Sequence, residues 1–151
     1  MSKPSSNLVF NTKGDKSLKK IISNRLKQLT YEKIKVRIST TKTGKTKSAI
    51  VGAYDIRTNK IVVAFAGPIP KIIHPELIKR ADKIGGIGTH GKTKRNTIGV
   101  CAEFHVINKL LLNGSDISNI RLVKAIRPRT GKPIPYCKNC EEMFKDILRR
   151  I

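Results

Sequence analysis

Three cysteines constrain this chain more than any other residues do: Cys137 and Cys140, which form a CxxC, and Cys101 well upstream of them. An odd number with two so close together does not make a disulfide framework, so reduced or metal-bound thiols fit better. Each stands where a helix is expected to start, Cys101 at the head of CAEFHVINKLLLN and the other two within PYCKNC. A CxxC at a helix start supplies two thiolates from one turn, and the positive end of the helix favours the thiolate. Zinc accepts such ligands in a tetrahedral set, so the fold must bring two helix starts together. Three protein ligands leave the fourth position to water, the pattern of a catalytic zinc site.

Glu103 gives this arrangement its chemical direction. It lies two residues after Cys101, on the first turn of the same expected helix, where a carboxylate reaches a metal-activated water without ligating the metal. It can take that water's proton and pass it to a ring nitrogen and a leaving amine. One ligand, a Glu two residues on and a later CxxC behind a proline form the signature of zinc base deaminases. Two other readings stay open. His105, four residues after Cys101, could close the metal site as a fourth ligand and make it structural. A lone CxxC could also be a redox pair, although the strand–helix context of a thioredoxin motif is missing.

The chain has 151 residues, enough for one domain with a modest core, and 38% of them are hydrophobic. Its formal charge is +22, from 32 basic and 10 acidic residues. That exceeds what solubility requires and points to a polyanion, nucleic acid first. The surplus is spread along the whole sequence, so it belongs to the fold and not to a detachable tail. No apolar run approaches transmembrane length, and MSKPSSNLVF lacks the apolar stretch of a signal peptide.

Periodicity predicts an α/β fold, a mixed sheet with helices packed on it. Residues 1–14 read as a polar lead-in, and 15–151 as a single domain. A helix capped by Asp15 is expected to run to about Leu29. Alternation then suggests a strand at 33–39, with Ile34, Val36 and Ile38 on one face. Strands at 48–55 and 60–66 complete an antiparallel meander. Helices are expected at 75–84, 101–113 and 140–151, and a strand at 119–127. The Gly-rich loop 85–99, with Lys92, Lys94 and Arg95, lacks the spacing of a P-loop. With the loop holding Arg127, Arg129 and Lys132, it is expected to form a basic rim for the phosphates flanking a bound base. Tyr136 could stack on that base or pack on the sheet. His74 and Ala102 complete the candidate substrate contacts.

CAEFHVINKLLLNG followed by GKPIPYCKNCEEMF resembles the cytidine-deaminase superfamily, and more narrowly the YwqJ-type deaminase domains of bacterial polymorphic toxins. The resemblance is tightest over about residues 98–148 and looser over 48–84. The first ligand is Cys where His is commoner, and Pro135 stands one residue further from Cys137 than the usual pattern has it. The resemblance implies a cytidine-deaminase-like layered fold, Zn2+ on Cys101, Cys137 and Cys140, and Glu103 as proton shuttle. It also implies hydrolysis of cytosine to uracil, in DNA ahead of RNA. A toxin role would follow, as a secreted effector acting in the target-cell cytoplasm. Such an effector is expected to be a monomer with a cognate immunity protein. Two rivals remain: a non-catalytic basic nucleic-acid-binding module with a Cys3His structural zinc, and a deaminase of free cytidine or nucleotides.

Overall fold

The computed structural model describes residues 12–93 and 96–150. Among these, the chain runs α1 (Thr12–Thr40), β1 (Ile50–Asp55), β2 (Ile61–Phe65), α2 (Pro75–Asp82), α3 (Ala102–Leu112), β3 (Ile120–Leu122), α4 (Lys138–Met143) and α5 (Lys145–Leu148). Short 3-10 turns at Gly44–Thr46 and Ile117–Asn119 lead into β1 and β3. Of the polar lead-in expected at 1–14, residues 1–11 lie outside the described residues and the last three are already helical.

β1 is the central strand, with β2 and β3 antiparallel to it on either side. The sheet is therefore antiparallel among the described residues, where a mixed one was expected. β2 and β3 run the same way but never touch, because β1 lies between them and α2 and α3 make the crossover. All six residues of β1 are buried, as befits a strand covered on both faces. Val51 and Ala53 face a core shared with α3, whereas Ile50 and Tyr54 face one shared with α1, the alternation a strand imposes.

The expected strand at 33–39 is instead the last third of α1, and the helix expected to end near Leu29 runs on to Thr40. Leu26, Thr30 and Ile34 are buried at four-residue spacing, and Ile38 packs against the same cluster. Val36, which a strand would have turned inward with Ile34 and Ile38, is 58% exposed. Nothing between Asp15 and Thr40 breaks a helix. The buried Thr30 hydroxyl donates to the Leu26 carbonyl at 2.6 Å, which satisfies it inside the core. Gly52 lets this helix lie against the sheet: a Cβ there would collide with the Thr30 methyl.

The strand expected at 119–127 is regular only over Ile120–Leu122. Ala53 pairs with Leu122, but Ile50 pairs with Ile126, so the β3 side carries one extra residue between those two pairings. This is a β-bulge, a device common beside functional sites. The single helix expected at 140–151 is two short ones, α4 and α5, meeting at Phe144. The helices expected at 75–84 and 101–113 end at Asp82 and Leu112. Among the described residues no helix is long and apolar enough to cross a membrane.

Candidate metal centre

The three cysteines converge. Cys101 is the residue that precedes the first turn of α3, Cys137 holds the same position before α4, and Cys140 lies within α4. Their sulfur atoms all lie within 4.8 Å of one another. The Cys101 and Cys137 sulfurs are 3.5 Å apart, and the Cys140 amide points at the Cys137 sulfur, also at 3.5 Å. A tetrahedral ion with metal–sulfur bonds of about 2.3 Å holds its sulfurs about 3.8 Å apart, so the cluster fits a metal ion of that kind. Cys137 is the thiol the site deprotonates first. Hydrogen bonds from the Cys101 and Cys140 thiols and from backbone amides hold its pKa far down, and those two thiols are pushed up in consequence.

Beside the sulfurs opens a cleft of about 250 Å³, lined by Cys101, Ala102, Glu103 and Cys137. Its other walls come from the sheet ends and two loops: Ser48, Ala49, Ala66, Asn96, Val100, Ala125, Arg127, Ile134 and Pro135. Four of these side chains are alanines, and their small size keeps the space open. Ala125 reaches it from the bulged side of β1. Glu103 is 6% exposed, on the first turn of α3. Burial pushes its carboxyl up to about 7; its own backbone amide opposes the shift and the Cys137 thiolate adds to it.

His105 does not join the sulfurs. Its Nε2 lies 3.2 Å from the Gly67 carbonyl, an oxygen that only accepts, so the imidazole donates there. Burial holds its pKa below the ordinary value. Among the described residues the ligand cluster comprises the three cysteines without it.

The remaining sequence candidates are dispersed. Ala102 lines the cleft. His74 lies outside that lining and caps α2, its Nδ1 accepting from the Glu76 amide at 3.1 Å ahead of Pro75. The buried side chain of Asn108 fastens this turn to α3, accepting from the His74 amide at 2.9 Å and donating to the Ile72 carbonyl at 2.8 Å. The Tyr136 hydroxyl donates to the Val123 carbonyl at 3.4 Å, and the half-buried residue packs against the main core. Arg129 is exposed and outside the lining, whereas its neighbour Arg127 is in it. Lys94 and Arg95 lie outside the described residues.

Asn139 carries a role that sequence reasoning missed. It stands between the two CxxC cysteines and is 1% exposed. Its side-chain oxygen accepts from the Lys92 amide at 2.8 Å. Its amide nitrogen donates to the carbonyls of His90 at 3.0 Å and Asn96 at 3.2 Å. The basic loop is thereby fastened to the CxxC turn. Gly91 belongs to the same contact: its φ is +57°, and a Cβ there would sit 2.6 Å from the Asn139 oxygen and 2.7 Å from Ile98. No protein-family model, curated protein or solved structure matches this chain.

Proposed function

We propose that the protein is a zinc-dependent deaminase that converts cytosine to uracil in a nucleic-acid strand, DNA ahead of RNA. The observation that carries this reading is the pairing of a three-cysteine cluster with a buried glutamate beside one small cleft. Cys101, Cys137 and Cys140 would hold Zn2+, which when bound makes water acidic enough to serve as a nucleophile near neutral pH. Glu103 would relay both protons of the attacking water in turn, the first to the ring nitrogen as the oxygen bonds to the amino-bearing carbon, the second from that oxygen to the amine as its C–N bond breaks. Cytosine and water become uracil and ammonia. The cleft volume of about 250 Å³ lies below the range of drug-sized pockets, in keeping with a single unstacked base. Asn96 and Arg127 at its mouth can hold the base and a flanking phosphate.

The orientation of His105 toward Gly67 supports an open metal position over a closed Cys3His site. The charge of +22 favours a strand over a free nucleoside, since one small substrate does not need so broad a field. A toxin domain acting in the cytoplasm of a target cell, held in check by an immunity protein, is the biological setting that the family resemblance suggests.

The test is incubation of the zinc-loaded protein with single- and double-stranded DNA and RNA, followed by sequencing. C-to-U changes are expected, and a Glu103→Ala protein should keep its metal and fold but produce none. Wild-type protein that leaves every substrate unchanged, or a Glu103→Ala protein that still deaminates, overturns the reading.

A further inference from the structure

A second cleft, of about 490 Å³, lies between α2 and the α4–α5 pair. It shares no lining residue with the metal cleft. Its three carboxylates are occupied. Asp146 receives a two-pronged contact from the Arg80 guanidinium at 2.7 and 2.9 Å, Glu76 takes the Arg80 Nε at 2.9 Å, and Glu142 pairs with Lys145 at 3.4 Å. Lys79, Lys83, Lys92 and Arg149 also line it, all four exposed, and none has a carboxylate within ion-pair distance among the described residues. All three acids are engaged in ion pairs, and the lining carries six basic residues against those three, so the groove is a net cationic trough.

Lys92 links this trough to the metal cleft. Four residues on, Asn96 lines the metal cleft, and both residues are tied to Asn139 inside the CxxC. Four residues of chain span at most about 14 Å. That is about four phosphate spacings at the ~3.4 Å rise of one strand. The Lys92 end of the trough therefore lies within a few nucleotides' reach of the metal-cleft residue Asn96.

We propose that the α2–α5 trough is a phosphate-binding subsite, which holds the nucleic-acid backbone a few nucleotides away from the target base. The proposal rests on the reading of a nucleic-acid substrate, although not on deamination itself. Binding, measured apart from activity, tests it.

Fluorescence anisotropy of labelled, cytosine-containing DNA and RNA would be followed across a salt series, with a dinucleotide probe too short to reach the trough and one of roughly fifteen nucleotides. The doubly reversed Lys83→Glu/Arg149→Glu protein should bind the longer probe about tenfold or more weakly. Its salt slope should flatten by about 0.7 for each phosphate that the protein no longer neutralises. Its affinity for the short probe should stay near wild type. A control with the same change in net charge, Lys20→Glu/Arg57→Glu, alters side chains at the end of β1 remote from the metal cleft and should bind both probes as wild type does. Equal losses in the two variants, equal losses on the two probes, or a wild type that binds neither probe overturns the subsite. A protein that binds through the trough but yields no C-to-U change would instead sink the deaminase reading and leave the subsite standing.

Discussion

The backbone amide of Lys92 donates to the side-chain oxygen of Asn139 at 2.8 Å, which joins the basic loop to the turn between two of the clustered cysteines. With the two bonds from the Asn139 amide nitrogen, all the polar atoms of this buried side chain serve one loop. Replacing it with alanine leaves the Lys92 amide and the His90 and Asn96 carbonyls without their partner. At about 1 kcal/mol for each hydrogen bond removed, Asn139→Ala should lower stability by roughly 2–4 kcal/mol. The loss should be concentrated locally, so amide exchange in 90–93 should rise at least about tenfold while β1 stays protected. Exchange mass spectrometry reads this directly, and an unchanged 90–93 segment would show that the loop holds itself.

A metal ion held by the three cysteines would be coupled to the loop through the same turn. Thiolate ligation would fix the backbone around Asn139, and binding to the folded state alone would stabilise it by mass action. Zinc-loaded protein should contain one ion per chain and melt higher than protein stripped with a chelator. Cys140→Ser should reduce metal affinity strongly, because the 1%-exposed Cys140 cannot be replaced by a neighbouring ligand. Atomic absorption and thermal melts with added zinc would check this, and a melting temperature indifferent to both zinc and chelator would contradict it.

The clustering of the three cysteines was legible in the sequence because its signal is local. Cys101 with Glu103 two residues on, and Cys137 with Cys140 three on, lie at helix starts, where a single turn decides where the side chains go. The C-terminal third of α1 was not legible. Ile34, Val36 and Ile38 alternate with charged residues as a strand's would, but in the helix only Ile34 and Ile38 share the inward face and Val36 is exposed opposite them. What decides is the inward spacing of Leu26, Thr30, Ile34 and Ile38, in which a threonine disguises the apolar period. Nor could spacing reveal Asn139, or the alanines of the cleft. The first acts through a tertiary contact with a distant loop, and the others matter for the volume they leave empty.

The close packing of α1 on the sheet gives a direct check on how that helix is seated. A Cβ at position 52 would overlap the Thr30 methyl and press on Val63 at 3.2 Å. Both neighbours are buried, so α1 or β1 must shift. Gly52→Ala should destabilise the fold by about 1–3 kcal/mol. Adding Thr30→Ser, which removes that methyl and keeps the hydroxyl, should recover much of the loss. Urea denaturation of the single and double variants measures it. Additive effects would mean that the two positions are not in contact.

Acid should weaken the contact between α2 and α5. The hydrogen bonds from Arg80 hold the Asp146 carboxyl below its ordinary value. A carboxylate with a depressed folded-state pKa adds stability above its unfolded value of about 3.9, and that stability is lost as pH falls through the folded value. Asp146 is 45% exposed, so screening limits the contribution to about 1 kcal/mol or less. Stability measured from pH 6 down to about 2 should fall less steeply in Asp146→Asn than in wild type, with the difference confined below about pH 4. Curves that stay parallel across that window would mean that the pair contributes nothing.

His105 separates the open metal site from a closed one. If it were a fourth ligand, changing it would remove a metal bond, and the affinity for zinc would fall with it. Its Nε2 instead faces the Gly67 carbonyl, whose own amide donates to Val100 beside the cleft at 3.0 Å. His105→Gln can still donate to that carbonyl and should keep one zinc per chain with near wild-type affinity. His105→Ala should also keep the ion, but it frees the strand end at Gly67 and should lower stability by about 1–2 kcal/mol. Competition with a zinc-sensitive chelator dye distinguishes the cases. If both variants lose the ion, the site is closed by the imidazole, no position remains for water, and a structural zinc replaces the catalytic one.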